Sequence, residues 1–250
     1  MKTTNWDFSS FDGVNLKIHE MGAGRPVILL HGLFSNAHTN WIKFGHAEAL
    51  VGAGFRVIMP DLRAHGGSGA PHEASAYPDD VLVQDISALI DHLGVQDFDL
   101  GGFSLGARTT AKLLATGINP RRAILAGMGL EGLAGWARRQ TFFLDAIANR
   151  ETVKRGDPHW MAVQFMKSQK IDPIASAHLL QSFTDMETSE ITKIKIDTAV
   201  ICGSEDRDNG SPEKLALLLE KGSFVEVPGT HMSSVTKPEL GREIVKFLSK

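Results

Sequence analysis

Short apolar segments recur along the chain and are separated by longer segments with helical periodicity. Apolar runs of this length are typical of strands that are covered on both faces, as in parallel sheets. The runs occupy residues 27–30, 57–59, 98–100, 123–125 and 198–202, with a shorter mixed run at 224–227. We therefore expect six buried strands in this order along the chain.

Helical patterns fill the gaps between these strands. After Asp79 and Asp80, apolar residues recur at helical spacing up to a stop signal at Gly94. Similar patterns occupy residues 105–116, 213–219 and 239–248. Strands that alternate with helices predict a doubly wound α/β fold, with a mostly parallel sheet and helices on both faces.

The N-terminal segment has a different pattern. Residues 6–11 and 15–20 alternate polar and apolar side chains, as half-buried strands do. The pair Asp12-Gly13 lies between them and is favoured in tight hairpin turns. We expect an antiparallel hairpin that precedes the parallel strands.

Residues 128–193 break the alternation of strands and helices, because no convincing strand occurs there. Three helical stretches are predicted instead, at 132–149, 159–169 and 174–183. Asp157-Pro158 and Asp172-Pro173 each supply an N-cap residue followed by a proline. The predicted organisation is a core formed by residues 1–127 and 194–250, with a helical insertion at 128–193 over the sheet's C-terminal end or edge.

Composition excludes several classes of function. The chain has 250 residues, of which 42% are hydrophobic and 22% charged, and a formal charge of −3, so no basic surface for nucleic acid is expected. The apolar runs are too short for a membrane span, and the N-terminus does not resemble a signal peptide. Cys202 is the only cysteine. This fits a reducing compartment, so we expect a cytoplasmic protein.

Ser104 lies within the segment GGFSLG, where strand 98–100 gives way to helix 105–116. This context matches the G-x-S-x-G nucleophile elbow, in which small flanking residues let helix and strand approach. The serine oxygen then stands at a helix N-terminus, where unpaired N–H groups favour negative charge. The Leu105 N–H could donate to an oxyanion. We predict that Ser104 is a catalytic nucleophile.

A serine nucleophile needs a base, and the chain has ten histidines. His231 is favoured because it follows the last strand, and ligands meet such folds at the C-terminal ends of their parallel strands. His31 and His65 also follow strands but precede the serine. The remaining histidines lie on predicted helices, in an early strand or outside any motif: His19, His38, His46, His72, His92, His159 and His178.

The acid that orients the base is sought after the next-to-last strand. Three carboxylates compete there, Glu205, Asp206 and Asp208. Asp206 is the best placed, three residues after the strand-ending Gly203, and the other two remain alternatives.

The chain order Ser104, Asp206, His231 resembles that of the α/β-hydrolase superfamily. The segment 31–34, HGLF, looks like the oxyanion loop of that family, which implies that the Leu33 N–H is a second oxyanion donor. The segment 60–69 resembles the family's D-x-R-G-x-G-x-S stretch, with Ala64 where a glycine is usual, and is interpreted as structural. The insertion resembles the family's variable cap domain.

The resemblance implies a serine hydrolase that cleaves carboxylic ester or related acyl bonds of small apolar molecules and needs no metal or organic cofactor. Lactonase, thioesterase, perhydrolase, hydroxynitrile lyase and carbon–carbon bond hydrolase activities remain alternatives. Met232 follows the base where carbon–carbon bond hydrolases often carry tryptophan. A receptor that binds a small molecule without turnover is an alternative of another class.

The insertion is rich in aromatic residues and methionines at helical spacing, and a layer of short helices cannot bury all of them internally. We expect several to face Ser104 and line an apolar substrate pocket. The candidates are Trp136, Phe143, Met161 and Phe165.

Overall fold

The computed structural model describes residues 2–250 and contains an eight-stranded sheet. Across the sheet the strands are ordered β1-β2-β4-β3-β5-β6-β7-β8, with the ranges given next. They are β1 (Thr4–Ser9), β2 (Asn15–Gly22), β3 (Arg25–Leu30), β4 (Phe55–Pro60), β5 (Asp99–Phe103), β6 (Arg122–Ala126), β7 (Asp197–Gly203) and β8 (Gly222–Val227). The β1–β2 and β2–β4 pairs are antiparallel and all other pairs are parallel. The predicted α/β fold with an N-terminal hairpin is confirmed.

Helices cover both faces of this sheet. They are α1 (His46–Gly52), α2 (Val81–Leu93), α3 (Leu105–Ala115), α4 (Leu130–Ala134), α5 (Trp136–Ala148), α6 (Trp160–Ser168), α7 (Pro173–Gln181), α8 (Thr188–Ile191), α9 (Pro212–Leu218), α10 (His231–Ser234) and α11 (Pro238–Leu248). Val27 and Leu29 of β3 pack in the cluster that contains α1 and α11, whereas Ile28 and Leu30 pack on the side of α2. Because successive side chains of a strand point to opposite faces, an uninterrupted apolar run serves both layers.

Helices α4 to α8 lie between β6 and β7, where three helical stretches are predicted. The predicted helix 132–149 is divided at Gly135, whose backbone is not helical. The Trp136 N–H donates to Asp185 Oδ1 at 2.5 Å, and this contact begins a new helix. Helices α4 and α8 span five and four residues, too short for periodicity to reveal them.

Arg108 of α3 attaches both ends of the segment 130–191 to the core. Its buried guanidinium donates to the carbonyls of Gly132 and Leu133, at 3.1 and 3.0 Å, and to the carbonyl of Thr184. It also lies 5.4 Å from the ring centroid of Trp136. Burial lowers the pKa of Arg108 to about 10, so the side chain is still a cation at neutral pH.

The segment shares its apolar interior with the core. The cluster that contains α2 also contains side chains of α5, α6 and α7. These side chains are Trp136, Ile147, Met166, Ala175, Leu179 and Leu180. Burial against α2 therefore stabilises the segment as well as the core.

Two details of the core differ from the sequence prediction. The first strand ends at Ser9 and not at Phe11, which is exposed, because the Ser10 N–H already closes the turn on the Val14 carbonyl. Helix α1 is not predicted at all, since seven residues give too little periodicity. No helix formed by residues 2–250 combines the length and apolar character that crossing a membrane requires.

Arg63 anchors the loop after β4. Its guanidinium is inaccessible to solvent and bonds to Asp85 Oδ1 of α2 and to Asp12 Oδ2 of the hairpin turn, each at 2.7 Å. Ser10 Oγ donates to Asp85 at 2.5 Å. The ion pairs thus hold the hairpin, the loop and α2 together.

We expect Arg63→Met to lower the free energy of unfolding by about 3–5 kcal/mol, because Asp85 would be left as a buried, unpaired charge. The matched control is Arg56→Met. Arg56 forms a partly exposed pair with Glu20, whose loss should cost at most about 1 kcal/mol. Urea unfolding of the three proteins measures both values. Equal losses in the two variants would contradict this role for Arg63.

Candidate active site

Ser104 lies in a strained turn between β5 and α3. Its backbone has φ +53° and ψ −110°, a conformation that residues with side chains rarely adopt. A methyl group at Gly102 would lie 2.2 Å from the carbonyl carbon of Gly106, and one at Gly106 would lie 2.1 Å from the carbonyl oxygen of Leu30. Glycine at both positions therefore permits the contact of α3 with β5 and β3 that forms the elbow.

Asp206 and His231 lie on two loops that contact each other. The acid loop follows β7, and the base loop joins β8 to α10. A methyl group at Gly203 would lie 2.1 Å from the Gly229 carbonyl oxygen, which also accepts the Glu205 N–H at 3.0 Å. This close approach brings the two side chains to the same end of the sheet as Ser104.

Ser104, His231 and Asp206 form a continuous hydrogen-bonded chain. His231 Nδ1 lies 2.8 Å from Asp206 Oδ2, and His231 Nε2 lies 3.0 Å from Ser104 Oγ. All three side chains are buried. Because a carboxylate only accepts, Nδ1 carries the proton and Nε2 presents its lone pair to the serine hydroxyl. The arrangement has the geometry of a catalytic triad.

The three candidate acids are placed very differently. Asp206 is buried against His231, whereas Glu205 and Asp208 are exposed. Burial raises the pKa of Asp206, but the hydrogen bond and charge of His231 and the N–H of Asp208 outweigh it, and the pKa lies below its usual range. Asp206 is therefore an anion at neutral pH.

The backbone N–H groups of Leu33 and Leu105 have no acceptor among residues 2–250. Leu105 follows Ser104, and the loop of Leu33 approaches Phe103, the residue before Ser104, at Gly32. Their neighbours in the loop 31–34 are occupied: the Gly32 N–H donates to Asn40 Oδ1 and the Phe34 N–H to His65 Nε2, both at 3.0 Å. Two unoccupied donors beside a nucleophile are what an oxyanion hole requires.

His31 and His65 hold this loop in place, although neither contacts the triad. His31 Nε2 accepts the Leu62 N–H at 2.9 Å, and His65 Nδ1 donates to the Arg63 carbonyl at 2.9 Å. Burial lowers the pKa of both, that of His65 to about 3, so both rings are neutral. In the sequence these two histidines are considered only as candidate bases. The one indication of their supporting role is that they lie within the segments 31–34 and 60–69.

Asp61 completes the support of the loop. Its two carboxylate oxygens accept the N–H groups of Ala37 and Gly67, both at 2.8 Å, and His19 Nε2 lies 3.2 Å away. Ala64 has φ +65°, the conformation that explains why glycine is usual at this position. The segment 60–69 thus orients the oxyanion loop and supplies no reacting group.

Three of the four predicted pocket residues join the cluster that includes the side chain of Leu33. Trp136 is a buried member, and Phe143 and Phe165 pack against it. Phe143 also contacts Phe34 edge to face, with ring centroids 5.6 Å apart. Met161 does not belong to this group.

Met161 is 66% exposed, so its predicted placement toward Ser104 is wrong. Helix α6 turns Val163 and Met166 inward, three residues apart. Met161 lies two residues before Val163, roughly 200° away around the helix, and therefore points to solvent. Among the described residues, 2–250, no group of three or more His, Cys, Asp or Glu side chains is placed to hold a metal ion.

Comparison with known proteins agrees with this geometry. A family model described as the alpha/beta hydrolase fold matches residues 25–126, which include β3 to β6 and Ser104. This match and the strand order assign the α/β-hydrolase fold to the chain. An epoxide hydrolase from Caballeronia sordidicola is 35% identical over 96 residues, 38% of this chain. The match covers only 28% of that relative's own length.

Several solved structures match nearly the whole chain. An esterase from Exiguobacterium antarcticum has a TM-score of 0.80 at 18% identity, covering 99% of this chain and all (100%) of that one. The enol-lactonase from Burkholderia xenovorans LB400 has a TM-score of 0.73 at 20% identity, covering 98% of this chain and 100% of that one. At this level of identity the likeness concerns the fold.

The depressed pKa of His65 predicts acid sensitivity. In the unfolded chain a histidine binds a proton below about pH 6.5. The folded protein does not protonate His65 until about pH 3, so stability is lost as the pH falls through this window. Between pH 6.5 and 5.5 the free energy of unfolding should fall by about 1 kcal/mol from this residue.

Urea unfolding at the two pH values measures the loss. His65→Asn should remove about that much of the pH dependence, whatever it does to stability at pH 7. His38→Asn, at an exposed histidine, is the control and should leave the slope unchanged. If the free energy of unfolding depends on pH as steeply in His65→Asn as in the native protein, His65 takes up its proton in the folded state within this pH range.

Proposed function

We propose that the protein is a serine hydrolase that cleaves carboxylic ester bonds of small apolar molecules. The observation that carries the proposal is the hydrogen-bonded chain from Asp206 through His231 to Ser104, beside the unoccupied N–H groups of Leu33 and Leu105. Nucleophile, base, orienting acid and oxyanion donors are the complete set that acyl transfer needs.

Each group has a definite part in the proposed reaction. Ser104 Oγ attacks the carbonyl carbon while His231 Nε2 takes its proton, and the oxyanion that forms accepts hydrogen bonds from Leu33 and Leu105. Collapse of this intermediate expels the alcohol, which receives the proton from His231. Water, deprotonated by His231, then attacks the acyl-enzyme, and the acid leaves as Ser104 regains its proton. One oxyanion donor contributes roughly 3–4 kcal/mol to lowering the barrier.

Ser104 favours acyl transfer over epoxide hydrolysis, the reaction in the names of several relatives. An epoxide hydrolase is among the relatives that match part of this chain, but epoxide hydrolases of the superfamily use an aspartate at the elbow, where this chain has Ser104. A hydroxyl activated by His231 is suited to attack a carbonyl and form an ester. A lactone is an internal ester, so lactonase activity needs the same residues and is the second candidate.

We further propose that residues 128–193 act as a cap that selects the substrate. Phe143 supports this role, because its ring contacts Phe34, the residue that follows Leu33 in the oxyanion loop. Trp136 stacks on Phe143 at 6.4 Å between centroids and holds that ring in place. An apolar wall beside the acyl site favours apolar acyl groups, at about 0.8 kcal/mol for each buried methylene.

Ser104→Ala should lower kcat for p-nitrophenyl esters by about 10⁴-fold or more, because the nucleophile is lost while the fold is kept. A fluorophosphonate should label the native protein at Ser104 and leave the variant unlabelled. Ser189→Ala, at an exposed serine of α8, is the control and should retain full activity. Near-normal turnover by Ser104→Ala would remove the proposed mechanism, and binding of esters without turnover would favour a receptor.

Phe143→Ala should move the preferred acyl chain to greater length, because it enlarges the pocket, and should change kcat for the acetate less than about threefold. Met161→Ala is the control, since Met161 is an apolar residue of the same segment that points to solvent. The measurement is kcat/KM for p-nitrophenyl esters of rising length, with lactone and thioester substrates alongside. If both variants keep the native profile, Phe143 does not line the acyl site.

A further inference from the structure

A second chain of hydrogen bonds leads from helix α5 to the triad. Arg139 Nη1 donates to the backbone carbonyl of Asp208. The N–H of Asp208 donates to Asp206 Oδ1 at 3.1 Å, the carboxylate oxygen that His231 does not use. Through Asp206 Oδ2 and His231 the chain continues to Ser104. Asp206 is therefore held on one side by His231 and on the other by the Asp208 backbone, which Arg139 of the insertion contacts in turn.

The position of Arg139 follows from the packing of α5. Its guanidinium lies 5.6 Å from the ring centroid of Phe143, one turn further along the helix. Its hydrogen-bond acceptor is a backbone carbonyl, and within the described residues no carboxylate lies at ion-pair distance from its guanidinium. Arg138, the preceding residue, is exposed. Arg139 thus brings a positive charge to the acid loop without forming an ion pair within the described residues, and Arg138 does not.

We propose that Arg139 is a positioning residue of the triad, which fixes the Asp206 carboxylate through the Asp208 backbone and couples the packing of α5 to the alignment of His231. The proposal rests on the proposed hydrolase function. The consequence is that the insertion, besides shaping the pocket, contributes to the reactivity of Ser104.

The charges around Asp206 support this coupling. The positive charge of Arg139 is one of the influences that hold the pKa of Asp206 below its usual range. Burial lowers the pKa of Arg139 itself, against the opposing effect of the Asp208 and Asp206 carboxylates. Arg207 Nη1 donates to the carbonyl of Asp206 at 2.9 Å.

The remaining neighbours of the pair do not titrate in the range of interest. The pKa of the Cys202 thiol is raised to about 12 by burial and by Asp206, so this group stays protonated. The ring of Phe103 covers one face of His231, with ring centroids 5.0 Å apart. The charged residues next to the pair are therefore Arg139 of α5 and Glu205, Arg207 and Asp208 of the acid loop.

Removal of the Arg139 charge should move the pH dependence of the reaction in one direction. A nearby cation disfavours protonation of His231, because the imidazolium is also positive. Without this cation His231 holds its proton to higher pH, and only the neutral ring can accept the serine proton. The rising limb of the pH profile of kcat/KM should therefore move to higher pH.

The experiment compares Arg139→Met, Arg139→Gln and Arg139→Lys with the native protein, and uses Arg138→Met as the matched control. Arg139→Met removes charge and donor, Arg139→Gln keeps a donor, and Arg139→Lys keeps both. The measurements are the pH profile of kcat/KM for p-nitrophenyl butyrate, and the NMR titration of the His231 ring, which needs no substrate. Thermal unfolding and fluorophosphonate labelling of Ser104 establish that each variant is folded.

We expect Arg139→Met to lower kcat about three- to tenfold and to move the midpoints of the kcat/KM profile and of the His231 NMR titration to higher pH. Arg139→Gln should move the two midpoints with a smaller loss of kcat. Arg139→Lys should restore the native kcat and the native midpoints. Unchanged midpoints in Arg139→Met and Arg139→Gln, or an equal shift in Arg138→Met, would overturn the proposal. Failure of the hydrolase function itself would appear separately, as a native protein that neither turns over esters nor reacts with the fluorophosphonate.

Discussion

The close contact between helix α3 and strands β3 and β5 is the constraint on which the site depends. It exists because Gly102 and Gly106 carry no side chain at the two points where backbone meets backbone. The contact forces Ser104 into a strained backbone conformation and presents its hydroxyl at the C-terminal end of the sheet. It also leaves the Leu105 N–H at a helix N-terminus without an internal acceptor. The proposed nucleophile and one proposed oxyanion donor are thus produced by one feature of the packing.

The surrounding groups fix this site before any substrate arrives. Neutral His31 and His65 and the carboxylate of Asp61 use their hydrogen bonds on backbone groups of the loops, which holds the Leu33 N–H unoccupied beside Ser104. Preorganised donors of this kind need no reorganisation when charge develops on the substrate. The ion pairs of Arg63 fix the loop 60–69, which supports the segment 31–34. The stability of the fold and the geometry of the site therefore depend on the same contacts.

Much of this architecture could be predicted from sequence because its signals are local. Apolar runs mark the buried strands, and the elbow motif gains its meaning from the strand before it and the helix after it. Asp206 was the preferred acid from its position after Gly203, but Glu205 and Asp208 stayed alternatives, because only the folded turn decides which carboxylate faces His231. The placement of Met161 and Arg139 was not predictable, because the neighbouring elements decide which side of a short helix is buried.

The attachment of both ends of the segment 130–191 to Arg108 has an evolutionary consequence. One guanidinium binds carbonyls at the beginning and near the end of the segment, so the separation of these two points is set by α3 and not by the helices between them. Insertions, deletions and substitutions among those helices can accumulate without displacing β6 or β7. Natural selection can therefore alter what lies above the nucleophile while the machinery beneath it remains the same.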